Sequence, residues 1–392
     1  MTGPHEPRAE LKALTGLRAV AALAVVVSHT GIPLSSPDFL RTFARFGYIG
    51  VPLFFVLSGF VLAYNYPALR PGQDRRTLRF YIARIARVMP LYWAVLVYCV
   101  IIRAVRGNQQ FTHTIIKDIF AVQTWGPNLS VAQGQYNGPG WSVGVEIFFY
   151  ALFPLLVPVV AFLAHRYGNR AMATLIIVVS SASLLLLLWF HAEARTSLPA
   201  TDPGSAHRWL YRNPLPHLAD FIAGMAAAFL LARASKVKAW SHHLVQAAIL
   251  GFVLLLMTLR WQHVAWLDGA GFFGAYWVLP FAFLCLSLGT GKGWLARFLS
   301  TGPLVHLGTT SFALYITHRW LVNQLAGSKA LQHQYGWNGL IGFAMVVGVL
   351  LLVAEGAHRY VEVPCRRGVL RLADRLLPRS VVPAEKMPEL AP

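Results

Sequence analysis

Residues 17–31 read LRAVAALAVVVSHTG, an almost uniformly apolar run that nevertheless carries Arg18 and His29. Eleven residues separate the two, close to three helical turns. In a helix they share nearly one face, roughly 16 Å apart along the axis at 1.5 Å per residue. Two readings of each stand. Arg18 lies about a turn inside the run and either snorkels to the interface or faces a site. His29 sits at the far end, either as a satisfied packing residue or as a proton acceptor, the work imidazole does best near neutral pH.

The same apolar texture recurs along the whole chain. Of 392 residues only 12% are charged and 56% are hydrophobic, and the mean hydropathy is +0.53. Soluble domains carry about a quarter charged residues. Ten runs approach the roughly 20 residues that cross a bilayer core: 14–31, 49–66, 82–103, 141–163, 171–190, 217–232, 244–260, 270–289, 304–326 and 337–359. The fold class is therefore all-α, a polytopic transmembrane bundle of about ten spans. The run 115–125 is too short and polar to cross and reads as re-entrant or interfacial. Arg8 and Lys12 precede the first run, but no small-residue cleavage site follows, so it reads as a retained helix.

With the N-terminus inside, 21 Lys and Arg fall in inner segments against 10 in outer loops, which predicts both termini in the cytoplasm. The net charge of +19 lies in these short loops rather than along a soluble face, so it points to anionic lipid headgroups and a plasma-membrane location, not nucleic acid. Cys99, Cys285 and Cys365 are too far apart for a disulfide framework or a zinc site, and no metal is expected. The chain divides into an N-terminal segment 1–13, a membrane domain 14–370 and a basic, partly disordered tail 371–392. The outer loop 191–216 reads as a semi-ordered lid. No internal repeat and no pair of broken helices is visible.

Several runs concentrate polar groups where they are expensive. In RFYIARIARVMPLYW, residues 79–93, Arg84 and Arg87 project from one side of a helix. Paired guanidiniums suit bidentate phosphate binding, although cytoplasmic anchoring explains many such pairs. In GPGWSVGVEIFFYALFP, residues 138–154, Ser142, Glu146, Phe149 and Tyr150 share a face and Trp141 sits at the mouth. Glu146 lies at the depth of His29 and is a candidate to orient that imidazole, or it is a helix-to-helix hydrogen bond. In LGTTSFALYITHRW, residues 307–320, Ser311, Tyr315 and His318 form one polar stripe. Glu355, His358 and Glu362 line the last helix, which Pro364 is expected to end. His217 and Asp220 form a lesser pair. Gly59 reads as close packing, whereas Gly50 and Pro52 read as opening the second span toward a cavity.

Taken in order, these pieces resemble the acyltransferase-3 family of integral-membrane O-acyltransferases. The carriers are Leu-Thr-Gly-Leu-Arg with the helix-one His, Gly-Val-Pro-Leu-Phe-Phe-Val-Leu-Ser-Gly-Phe, Arg-Ile-Ala-Arg with Pro-Leu-Tyr-Trp, Gly-Trp-Ser-Val-Gly-Val-Glu, Ser-Phe-Ala-Leu-Tyr-Ile-Thr-His and Val-Glu-Val-Pro, across about residues 12–370. The likeness is to members that acylate macrolides or surface polysaccharides and lack a fused extracytoplasmic domain. It implies transfer of an acetyl or other short acyl group from acyl-CoA, a co-substrate rather than a tightly bound cofactor, to a hydroxyl on a glycan or glycosylated small molecule. It implies His29 as the essential histidine with Arg18 as its partner position, and Arg84 and Arg87 as the paired arginines that bind the donor. It further implies Trp141, Ser142 and Glu146 as the tryptophan-serine-glutamate motif, and Tyr315 and His318 as the late tyrosine and histidine. Arg319 departs from the family pattern, which has an aromatic or aliphatic residue there. Tyr315, His318 and Ser142 are all candidate donors to an oxyanion. The rival reading is a proton-coupled transporter using its intramembrane Arg, His and Glu as relay or counter-ions.

Overall fold

The computed structural model describes residues 10–72, 74–107, 115–126, 136–262, 274–326 and 339–377. Helices dominate, and no β-strand occurs among the described residues. In chain order they are α1 (Lys12–Thr30), α2 (Asp38–Arg45), α3 (Gly50–Asn65), α4 (Asp74–Val105), α5 (Ile115–Ile119), α6 (Gly140–Ala192), α7 (Leu218–Phe229), α8 (Ala239–Trp261), α9 (Val278–Gly289), α10 (Gly302–Thr309), α11 (Ser311–Ala326), α12 (Leu340–Ala357) and α13 (Val363–Leu376). π-Helical turns at His207–Arg212 and His358–Glu362 precede α7 and α13.

Each apolar run predicted from the sequence coincides with helix, apart from residues 270–273 and 337–338, which lie outside the described ones. Among the described residues six helices are long and apolar enough to cross a membrane, with two shorter apolar helices at Leu218–Phe229 and Ala275–Gly289. The fourth and fifth runs are the two arms of α6, joined at Gly168, whose φ of 68° is open to glycine at little cost. Large apolar side chains such as Leu155, Val159, Phe162, Leu254 and Leu352 stand exposed on α6, α8 and α12, as a lipid-facing surface requires.

Two expectations are corrected. Pro364 does not end the last helix: it sits in the first turn of α13, where its missing N–H costs nothing, and α13 runs on to Leu376. The predicted tail is thus helical for its first residues, while 378–392 lie outside the described ones. Gly50 is also a packing residue rather than an opening, because a Cβ there would meet the Ala21 carbonyl oxygen at 2.5 Å.

Backbone contact at small residues draws the inner helices together. A Cβ on Gly59 of α3 would strike the Phe221 carbonyl of α7, and one on Gly224 of α7 would strike the Val56 carbonyl of α3. Gly308 of α10 abuts the Thr15 carbonyl of α1 in the same way. Gly224→Ala is therefore expected to lower the thermal midpoint of the detergent-purified protein, since overpacking costs about 1–3 kcal/mol. Gly348→Ala, where nothing lies within 4 Å, is the control and should leave the midpoint unchanged or slightly raised.

Candidate active site

The face of α1 that carries Arg18 and His29 lies on the polar stripe of α11. Arg18 Nε donates to Ser311 Oγ at 3.4 Å. Eleven residues further along α1 and seven further along α11, His29 Nδ1 stands 3.3 Å from His318 Nε2, with ring centroids 5.0 Å apart. His318 is fully buried, whereas His29 is exposed at the end of the bundle.

The carbonyl neighbours fix the tautomers. His29 Nδ1 lies 2.9 Å from the Val25 carbonyl, and His318 Nδ1 lies 2.6 Å from the Tyr315 carbonyl. A carbonyl only accepts, so each Nδ1 carries the proton. His318 Nε2 is then a lone pair that accepts from His29 Nδ1–H, and His29 Nε2 is left unprotonated and open. That is the state a general base requires.

A cavity opens between α1, α3, α6 and α11, lined by Arg18, Phe54, Ser142, Glu146, Phe312 and Tyr315 among others. The Arg18 guanidinium lies 5.8 Å from the Phe54 ring centroid, and the Tyr315 ring 6.0 Å from the same ring on edge. Ser142 Oγ and the Tyr315 hydroxyl both donate to the Pro139 carbonyl, at 3.1 and 3.5 Å. The indole of Trp141 is buried between Phe55, Tyr211 and His217. Glu146 does not contact His29: its Oε1 accepts from Ser58 Oγ at 3.5 Å, and the carboxylate faces the cavity. The reason is rotational, since the cavity face of α6 turns Glu146 toward α3. The partner beside the His29 imidazole is His318.

At the opposite end of the cavity the charge is basic again. The Arg84 guanidinium lies 5.7 Å from the Tyr66 ring and 6.0 Å from Phe80, and its Nε is buried without a partner. The charge of Arg87 acts on Arg18, on Tyr150 and on Arg366 of α13. Helix α13 is strapped to α4 by Arg79, which pairs with Asp374 and donates to the Leu377 carbonyl. His358 and Glu362 bond to one another at 2.9 Å beside this strap.

Sequence reasoning missed one group. The loop read as a lid holds a buried π turn, HRWLYR, residues 207–212. Arg208 is fully buried and donates to the Gly126 carbonyl. Arg212 lies 4.9 Å from the Trp141 ring centroid and 5.5 Å from that of Tyr211. Burial and the adjacent Arg212 charge hold His207 down to about 4, so it stays neutral near pH 7. His217 pins the turn: its Nε2–H donates to the Tyr211 carbonyl at 2.9 Å while Nδ1 meets Asp220 Oδ2 at 2.9 Å. Two arginines four apart among aromatics were the visible signal.

The chain belongs to the acyltransferase-3 family: the profile of its acyltransferase domain matches residues 11–355. The protein is thus an acyltransferase with the helical character of a membrane protein. It is 26% identical to acyltransferase MdmB of Streptomyces mycarofaciens, over 95% of each chain. It is 27% identical to O-acetyltransferase OatA of Staphylococcus aureus, over 93% of this chain and 58% of that one. The putative peptidoglycan O-acetyltransferase YrhL of Bacillus subtilis is 23% identical over 90% of this chain and 54% of its own. The chain therefore spans nearly all of MdmB and little over half of the other two. No solved structure matches it.

The pinning pair carries a stability prediction. Both His217 and Asp220 are only 3% exposed, so Asp220→Ala leaves a buried imidazole nitrogen without its partner. A loss of about 1–3 kcal/mol is expected, read as a lowered thermal midpoint.

Proposed function

We propose that the protein is a plasma-membrane O-acyltransferase, with both termini cytoplasmic, that moves a short acyl group from acyl-CoA to a hydroxyl of a carbohydrate or glycosylated small molecule. The observation that carries this reading is the open Nε2 of His29, kept unprotonated by the hydrogen bonds at Nδ1. The acceptor O–H gives its proton to that nitrogen while its oxygen attacks the thioester carbonyl carbon. The tetrahedral intermediate collapses by breaking the C–S bond, and the CoA thiolate takes the proton back from His29. No acyl-enzyme is needed.

The donor side follows from the basic end. Arg84 has a buried N–H without a partner and Arg87 stands one turn further along α4, so the two suit the phosphates of a coenzyme A thioester. From there the flexible pantetheine arm enters the cavity, which Arg18 borders. The Tyr315 and Ser142 hydroxyls are the candidate donors to the oxyanion, since His318 in this tautomer is an acceptor at Nε2, and Trp141 helps wall the acceptor side. Glu146, facing the same cavity, sets its electrostatics and does not orient the base. The name of MdmB supports acyl transfer, and those of OatA and YrhL, both O-acetyltransferases by name, support a hydroxyl acceptor without choosing it.

Free-thiol release from acetyl-CoA and longer acyl-CoAs, with a panel of glycosylated acceptors, tests the reading. His29→Ala is expected to lower acceptor-dependent release by about 10²–10⁴-fold, the usual worth of a positioned base. Arg84→Ala/Arg87→Ala should raise KM for the donor far more than it lowers kcat. Folded His29→Ala with parental turnover would remove the proposed base, and solute uptake into vesicles without acylation would favour a carrier.

A further inference from the structure

The His29 end of the bundle holds two guanidiniums to which the acyl-transfer scheme gives no task. Arg212 reaches over the Trp141 ring from the π turn. Its Nε and Nη1 are buried and have no hydrogen-bond partner. Arg319 follows His318 on α11, and its side chain lies along the same α6 entry, where a Cβ on Gly138 would sit 3.5 Å from Arg319 Cγ. Both side chains thus flank the turn 138–141 that also anchors the Tyr315 hydroxyl. They act electrostatically on each other and on His29.

Two like charges at a half-buried mouth repel, and buried N–H donors left unpaired carry a desolvation cost. A permanent counter-ion would relieve both. Among the described residues neither arginine has an ion pair. An anionic group on a ligand would supply the compensating charge. The inner arginines cannot take that role at this end, since they lie beyond the cavity beside Tyr66 and Tyr150.

We infer that Arg212 and Arg319 form a binding site for an anionic oxygen group, a carboxylate or phosphate, carried by the acceptor and holding its hydroxyl beside His29. This rests on the acyltransferase reading and narrows its substrate class to anionic acceptors. The buried Trp141 ring lies 4.9 Å from the Arg212 guanidinium and backs it from the protein side. The pair His217 and Asp220 is a positioning element, because it fixes the Tyr211 carbonyl immediately before Arg212.

The test measures binding, so it does not wait on turnover. Thermal midpoints of the detergent-purified full chain are followed with glucuronate, with its neutral counterpart glucose, and with inorganic phosphate, all at matched ionic strength. Glucuronate or phosphate is expected to give a saturable rise of a few degrees, and glucose none. Arg84→Gln/Arg87→Gln should keep the glucuronate response, whereas Arg212→Gln and Arg319→Gln should lose it. Arg212→Lys, which keeps the charge without the forked geometry, serves if the glutamine variant does not fold, and should weaken binding about tenfold. Equal responses to glucuronate and glucose, or a glucuronate response that survives both arginine substitutions, would overturn the inference. Anion binding without thiol release from any acceptor pair would instead count against the acyltransferase reading alone.

Discussion

A guanidinium and an imidazole on one face of an apolar helix commit that face to a polar partner, because hydrocarbon supplies none. The partner is the stripe Ser311, Tyr315 and His318, at i, i+4 and i+7: Arg18 meets Ser311 while His29 meets His318. Much of the core arrangement depends on this register. If α11 slid by one turn, Arg18 and His29 would both lose their partners, and the Tyr315 hydroxyl would leave the Pro139 carbonyl. Cross-helix polar pairs inside membranes are individually modest, averaging about 0.6 kcal/mol in one well-studied case. Their weight here is geometric: they choose one register among several that apolar packing alone would accept.

Apolar packing then fixes the distance between helices. Where Gly59 and Gly224 face each other's helix, α3 and α7 approach to backbone contact. That closeness places Phe55 of α3 between Phe149, Trp141 and His217, and so walls the cavity on its apolar side. On the other side the cavity is bounded by Arg18 of α1 and by Phe312 and Tyr315 of α11. A tighter crossing there would close the cavity; a looser one at Gly59 would flood the Trp141 wall.

Much of this was legible in the residues. Spans with strong apolar runs announced themselves, and Arg18 and His29 at a spacing of eleven indicated a shared face because helical period is a local property. The stripe of α11 was visible for the same reason. What a single chain does not display is which helix a face meets. Glu146 and His29 lie at matching depth, yet rotation of α6 turns the carboxylate to Ser58, and His318 takes the place beside the imidazole. The π turn at 207–212 was hidden for a different reason. Its aromatic and basic residues look like surface in one dimension, and only the His217 bond to the Tyr211 carbonyl shows that they fold inward. Pro364 misled as a helix stop because the same residue that breaks a helix interior is well suited to a first turn.

The distribution of charge gives the arrangement its direction. Basic groups gather at both ends of the cavity, Arg84, Arg87 and Arg366 at one and Arg212 and Arg319 at the other, while the facing carboxylate, Glu146, lies between them. A long ligand with its charge at one end is drawn to one mouth with its apolar or neutral part inward, and a second ligand is drawn to the other. Neither has to cross the charged centre to reach the other. In the proposed reaction the two groups would meet where Arg18, Glu146 and Tyr315 line the space, with His29 eleven residues beyond Arg18 on α1. Bringing two molecules in from opposite ends to a fixed imidazole converts an encounter in three dimensions into one along a channel, the positional advantage that well-oriented reactions exploit.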